Sequence, residues 1–226
     1  MAITLGSNIA SLRAQRSLNH STMSLNNIYQ QLSSGQRINK ASDDAAGLSI
    51  ADSLKAQQRV ASVAIRNAND GISGIAIADA ALGEIGNTLT RMAELAEQSA
   101  NGVFSVTQRS ALQSEFLALG SEIERIAVTT NFNGVSLLSG NNTMVLQVGF
   151  NSASTAQISY TGVAGTLNAL GLAATNKSAL TYSLNEGSLE GGQSASRLAL
   201  DAVNAAIGSL AATRGVLGAA ESRLGV

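Results

Sequence analysis

DAAGLSIADSLKAQQRVASVAIRNANDGISGIAIADAALGEIGNTLTRMAELAEQSA, residues 44–100, decides the fold. Leu54, Ala61, Ala68, Ile75, Leu82, Leu89 and Ala96 recur every seven residues, with Ala64, Ala78, Ile85 and Met92 in the intermediate register. This is the spacing of one face of a long α-helix. At about 1.5 Å per residue such a helix spans roughly 85 Å, about three times the diameter of a small domain. Its apolar face must be covered lengthwise by other helices. The predicted fold class is mainly α, an elongated rod of long coiled-coil-like helices with a small β-hairpin region.

The flanking sequence supplies the partners. Leu5, Ile9, Leu12, Leu18, Leu25, Ile28 and Leu32 predict a first helix to about Ser33, with a one-residue phase slip between Leu12 and Leu18. Ser34 and Gly35 break it, and Ser42 and Asp43 are good caps for the long helix, with Asp43 and Asp44 at the positive end of its dipole. After Asn101 and Gly102, Leu112, Phe116, Leu119, Ile123 and Ile126 follow a strict 4,3,4,3 spacing, predicting a helix over 105–129 whose seam meets Leu82, Ile85, Leu89 and Met92.

Residues 129–142 are turn-rich around Asn133-Gly134. Met144, Leu146, Val148 and Phe150 then alternate, as do Ile158 and Tyr160, which predicts a β-hairpin. Residues 161–193 have too little periodicity to assign beyond loop or short strands. Helical spacing returns over 194–226 with Leu200, Val203, Ile207, Leu210, Leu217 and Leu224, interrupted by Arg214 and Glu221. The expected organisation is an N-terminal helix and linker over 1–43 and a rod over 44–226, with hairpin and loops at 130–193.

Composition narrows the chemistry. Of 226 residues only 13% are charged and 3% aromatic, against 45% hydrophobic, a composition suited to long helix contacts rather than to a pocket. A net charge of -1 with scattered arginines offers no basis for binding nucleic acid or an anionic membrane. The N-terminal MAITLGSNIASLRAQRS lacks the features of a signal peptide. Cysteine and proline are both absent, which excludes disulfides and thiolate metal sites and suits uninterrupted helices.

His20 is the one histidine, so histidine-based catalytic sets and multi-histidine metal sites are unsupported; no cofactor and no enzymatic activity are expected. Asp43 and Asp44 read better as helix-capping residues than as an acid/base pair. Gly71, Gly74, Gly83 and Gly86 each cost about 1 kcal/mol relative to Ala inside a helix. Close approach of a neighbour or local deformability explains them.

Five blocks run in the order found in bacterial flagellin: LSSGQRINKASDDAAGLSIA (32–51), RNANDGIS (66–73), ELAEQSANG (94–102), NFNGVSLL (131–138) and LQVG (146–149). The chain resembles that family over nearly its whole length. The resemblance implies an inner domain of paired terminal helices, in which the 5–32 stripe mediates assembly, joined to a rod of three long helices and a hairpin. Large outer domains are not expected. Relative to the family pattern the chain stops at Val226 before the apolar C-terminal helix, so the 5–32 stripe is expected to lack intramolecular cover and the chain is not expected to form long filaments by itself.

By the same resemblance the chain is a structural subunit of the flagellar filament, exported without a cleaved signal peptide and located outside the cell. Its implied partners are other flagellin copies, filament cap and hook-junction proteins and the flagellar export apparatus. Alternatives are a hook-filament junction protein, or a displayed ligand for host innate immunity. Arg91, Leu95 and Glu115 match positions through which some flagellins engage a host Toll-like receptor, and the same residues could serve contacts between protofilaments. Met92, Ala93 and Glu97 depart from the receptor-binding pattern.

Overall fold

The computed structural model describes residues 8–139, 143–160, 163–175 and 177–225. Helices α1 (Ile9–Ser34), α2 (Ala45–Ala100), α3 (Val106–Thr129) and α4 (Leu189–Leu224) dominate. Four short strands, β1 (Asn131–Phe132), β2 (Val135–Ser136), β3 (Met144–Gln147) and β4 (Gln157–Tyr160), form two separate antiparallel pairs. The chain divides into two compact units, Met1–Val60 and Ala61–Val226, so the division falls inside α2.

In the first unit, the Asn8 side chain caps α1 by accepting from the Ser11 amide at 3.1 Å, and Gly35 closes the helix in the left-handed region at φ 66°. The polar link that follows is tied back on itself. Asn39 Nδ2 donates to the Gln30 carbonyl and to Ser34 Oγ, at 3.1 and 2.7 Å. Asp43 Oδ2 accepts from the Asn39 and Lys40 amides, both at 3.2 Å. The cap of α2 is therefore Asp44, whose Oδ1 accepts from the Gly47 amide at 2.9 Å. Capping by Asp43 is corrected, because its carboxylate is already engaged in the preceding turn.

The expected single stripe on the first helix is corrected as well. Leu5 lies outside the described residues. From Ile9 onward α1 is one uninterrupted helix, so nothing absorbs the phase slip, and at about 100° per residue Leu12 and Leu18 lie about 120° apart around the axis. Leu18, Leu25, Ile28 and Leu32 share one face, whereas Ile9 and Leu12 share another with Met23.

The second unit contains the core. Most buried positions of α2 fall in two interleaved heptad rows, Ala64, Gly71, Ala78, Ile85, Met92 and Ser99, and Ile75, Leu82, Leu89 and Ala96, with Gly74 and Leu95 buried beside them. Against them pack Phe116 and Ile123 of α3, with Leu112, Leu119 and Ile126 half-buried around them, and Ala199, Val203, Ala206, Leu210 and Leu217 of α4. A reciprocal capping box starts α3: Ser105 Oγ accepts from the Gln108 amide at 3.3 Å and Gln108 Oε1 from the Ser105 amide at 2.9 Å.

The Asn133-Gly134 turn has positive φ at both residues, 50° and 78°, and joins β1 to β2 as a two-residue hairpin. In the second hairpin Leu146 pairs with Ile158 and Met144 with Tyr160. The expected strand is shorter than its alternation suggests. It ends at Gln147 because the Val148 and Gly149 amides both donate to the Ala156 carbonyl, at 3.0 and 2.9 Å, which leaves Phe150 exposed. Leu146 packs so closely on α2 that a Cβ at Gly71 would collide with its Cδ1. Close approach thus explains Gly71, while Gly83 faces open space.

The described residues of 163–187 are mostly irregular, yet Val163, Leu167, Leu170, Leu172 and Leu184 are core residues. Side chains from the helices hold their backbone: Glu124 Oε2 accepts from the Leu167 amide at 3.0 Å, and Gln113 Oε1 accepts from the Leu184 amide. The last helix starts at Leu189 and not at 194. Ser188 Oγ caps it by accepting from the Gly191 amide at 3.1 Å, and the contacts of Gly192 with α3 outweigh the low helix propensity of the Gly191-Gly192 pair.

Two stability outcomes follow from this packing. Phe116→Ala removes a fully buried ring and should cost about 3–5 kcal/mol in a denaturant titration; a change under about 1 kcal/mol would contradict its placement. The Tyr160 hydroxyl is buried with no hydrogen-bond partner, and burial pushes its phenol above the usual range. Tyr160→Phe should therefore leave stability unchanged or raise it by about 1 kcal/mol, whereas a loss greater than that would reveal a partner for the hydroxyl.

Candidate assembly surface

No described residue of the first unit is buried. Ile9, Leu12, Leu18, Leu25, Ile28 and Leu32 are all more than half exposed, Leu18 at 69% and Leu32 at 77%, as are Met23 and Tyr29, which the sequence reading did not single out. Ile50 and Leu54 extend this exposure into the start of α2. An isolated surface leucine is ordinary, but a whole helix with two apolar faces and no buried residue is the mark of an interaction surface.

Arg13, Arg16, Arg37 and Lys40 precede the first carboxylate of the chain, Asp43. By helical rotation Arg13 and Arg16 fall on the side of Ile9, away from the Leu18–Leu32 face. One apolar face of α1 is thus free of charge and the other is interleaved with arginines, so the two suit different neighbours.

The second unit places the other candidate residues. Arg91 Nε and Nη2 donate to Glu115 Oε1 at 2.9 and 2.8 Å, and Nη1 donates to Glu94 Oε2 at 2.9 Å, an exposed cluster joining α2 to α3. These carboxylates, Glu115 foremost, raise the Arg91 pKa. Leu95 does not share this surface. Its side chain is fully buried in the core, which corrects its assignment to a receptor or protofilament contact; the heptad face turns it inward while Arg91 and Glu94 point out. Leu82, Ile85, Leu89, Met92, Phe116 and Ile123 likewise have no exposed area, and Leu112, Leu119 and Ile126 retain some.

Arg214, which the sequence pattern set within the seam of the last helix, lies at its margin. Its guanidinium grips Asp79 of α2 through Nε–Oδ1 at 2.7 Å and Nη2–Oδ2 at 2.9 Å. That hydrogen bonding holds the Asp79 carboxyl below its ordinary range and raises Arg214.

Three buried polar residues escaped the sequence reading: Arg109, Ser99 and Ser196. Stepping the α3 seam back three residues from Leu112 lands on Arg109, so the spacing itself carried the signal. Among the described residues no group of three His, Cys, Asp or Glu side chains is placed to hold a metal, and no helix is long and apolar enough to cross a membrane. A shallow groove among Ala61, Ala64, Ala68, Phe150, Ile158 and Leu224 is mainly apolar, with Asn69 and Arg223 at its lining.

The chain is similar to known proteins over most of its length. The model of the bacterial flagellin N-terminal helical region matches residues 5–143. Polar flagellin F of Vibrio parahaemolyticus is 51% identical over 140 residues, 62% of this chain and 37% of that protein. Polar flagellin A of the same species is 43% identical over 172 residues, 76% and 46%, and flagellin E of Vibrio cholerae 47% over 160 residues, 70% and 42%. The chain spans less than half the length of these curated relatives. The Bacillus cereus flagellin crystal structure superposes with a TM-score of 0.57 at 27% identity, covering 71% of this chain and 85% of that one. FliC from Burkholderia pseudomallei, at 19% identity and a TM-score of 0.53 over 68% of this chain and 99% of that one, shares the fold.

The Asp79–Arg214 pair yields a pH outcome. A depressed folded pKa means that its contribution is present above the ordinary aspartate value of about 3.9 and is lost as pH falls through the lower folded value. Both side chains are more than 40% exposed, so solvent screening limits the contribution to under about 1 kcal/mol. In urea titrations the parent should exceed Asp79→Asn by a constant margin from pH 7 to pH 5, narrowing below pH about 3.9. A margin unchanged by acid would show that the carboxylate charge contributes nothing.

Proposed function

Because the chain belongs to the bacterial flagellin family, we propose that it is a structural subunit of the flagellar filament, outside the cell, built up by packing against further copies of itself. The observation that carries this reading is that no residue of α1 is buried, so that its two apolar faces find no cover among the described residues of their own unit. Flagellins are structural proteins, and the subunit's role is mechanical.

The magnitudes show what assembly requires. Burying the six exposed aliphatic side chains from Ile9 to Leu32 contributes on the order of 10 kcal/mol at about 1.5–3 kcal/mol for each fully buried side chain. Fixing one subunit in a polymer costs about 4–15 kcal/mol. The stripe on α1 alone therefore roughly balances the loss of freedom, and contacts from the second unit must supply the surplus. The two-faced arrangement supports such a division, with the charge-free Leu18–Leu32 face against an apolar helix and the arginine-interleaved face against a more polar neighbour.

As finer partners we propose the filament cap, the hook-junction proteins and the flagellar export apparatus, through which an α1 without a folded core of its own would pass readily. A host Toll-like receptor as partner rests on Arg91 and Glu115 alone, since Leu95 is withdrawn into the core.

In a host lacking other flagellins, where the parent gene gives filaments, the subunit carrying Leu18→Asp with Leu25→Asp should be exported yet fail to assemble, appearing as monomer in the medium of non-motile cells. Immunoblots of medium and sheared filaments, with electron microscopy, check this outcome. Filaments of normal length built from the variant would contradict the assembly role of α1.

A further inference from the structure

The core of the second unit is degenerate along its axis. On α2 the two buried rows repeat every seven residues, and on α4 Gly192, Ala199, Ala206 and Ala220 form one row and Ser196, Val203, Leu210 and Leu217 another. The helices run antiparallel, as Ser99 beside Ser196, Gly86 beside Leu210 and Asp79 beside Arg214 show. Sliding α4 by seven residues, about 10 Å, returns an apolar row to an apolar row at nearly every level. Heptad seams of small aliphatic residues do not by themselves choose among such alignments, and a buried polar group commonly does.

The polar exceptions lie at one end. Arg109 of α3 is fully buried, with Nη1 donating to the Leu189 carbonyl at 2.7 Å and Nη2 to the Asn101 carbonyl at 3.0 Å. Its guanidinium thereby joins the first residue of α4 to the residue following α2. Gly192 makes room, since a Cβ there would stand 2.8 Å from Arg109 Nη1. Beside it Ser196 Oγ donates among Ser99 Oγ, the Gly192 carbonyl and the Leu184 carbonyl at 2.9, 2.7 and 3.2 Å. We propose that Arg109, with the Ser99–Ser196 pair, is the positioning device that fixes the axial register of α4 on the α2–α3 pair.

A shift of one heptad in either direction carries the Leu189 carbonyl out of reach of Arg109 and leaves a buried guanidinium with half its partners. It also sets Ser99 against Val203, or Ser196 against Met92. Either outcome buries unpaired polar groups, which is costly where an apolar mismatch is not. The exposed Asp79–Arg214 pair marks the same register but is too screened to enforce it. The pinned segment before α4, held by Gln113 at Leu184 and by Ser110 at Asn185, is the rival determinant.

The chain has no cysteine, so register can be read by disulfide trapping in the full chain. Gly86→Cys with Leu210→Cys reports the native alignment; Gly86→Cys with Val203→Cys, or with Leu217→Cys, reports a one-heptad shift in either direction. The parent background should trap only the 86–210 pair. In an Arg109→Met, Ser196→Ala background, a shifted pair should appear alongside it, with helix content by circular dichroism unchanged. Trapping of the 86–210 pair alone in that folded background would overturn the proposal and assign register to the tether. If the double variant does not fold, Arg109→Met alone carries the same test: a shifted product supports the lock, and trapping of the 86–210 pair alone overturns it.

Discussion

A helix of 56 residues with an apolar side chain on every turn cannot cover itself. Hydrophobic burial is non-directional, but a helix presents its apolar groups in one line, so the cover must be as long as the line. In the second unit the chain supplies that cover itself. Two helices and the irregular leucine-bearing segment close over the rows from Ile75 to Ser99, and the largest side chains there have no exposed area. In the first unit the same requirement is left open along all of α1 and the beginning of α2.

How much of this was legible depends on whether the determining signal is local. The extents of α2 and α3 could be read because periodicity and caps coincide: Asp44 and Ser105 sit where the apolar pattern begins. The Asn133-Gly134 turn was legible for the same reason, since its backbone conformation is a property of those two residues. The first turn of α4 was not, because Gly191-Gly192 argues against helix and the compensating contact comes from Arg109, 80 residues away. The packing of 163–187 was hidden likewise, its leucines being irregularly spaced and its backbone held by Glu124 and Gln113 from another element.

Within the candidate surface, the apolar character of α1 was foreseeable from its leucine pattern, whereas its division into two faces was not. That division depends on whether the helix breaks at the phase slip, and only the continuous backbone from Ile9 to Ser34 settles it. Leu95 shows the reverse limit. Its match to a surface motif concerned residue identity, while its burial is decided by helical phase, and Arg91 and Glu94 on the same helix take the solvent side.

The division of labour between the units also implies a division of stability. Local opening is easiest where few apolar contacts hold the backbone, which describes α1, and hardest around Ile75–Ala127. The most direct measurement is amide hydrogen exchange on monomeric and polymerised subunit under one set of conditions. The account predicts that amides of α1 exchange rapidly in the monomer and become strongly protected in the filament, while those around Leu82, Leu89, Phe116 and Ile123 are protected in both. Equal protection of α1 in the two states would contradict it, showing that those apolar faces are already covered before assembly.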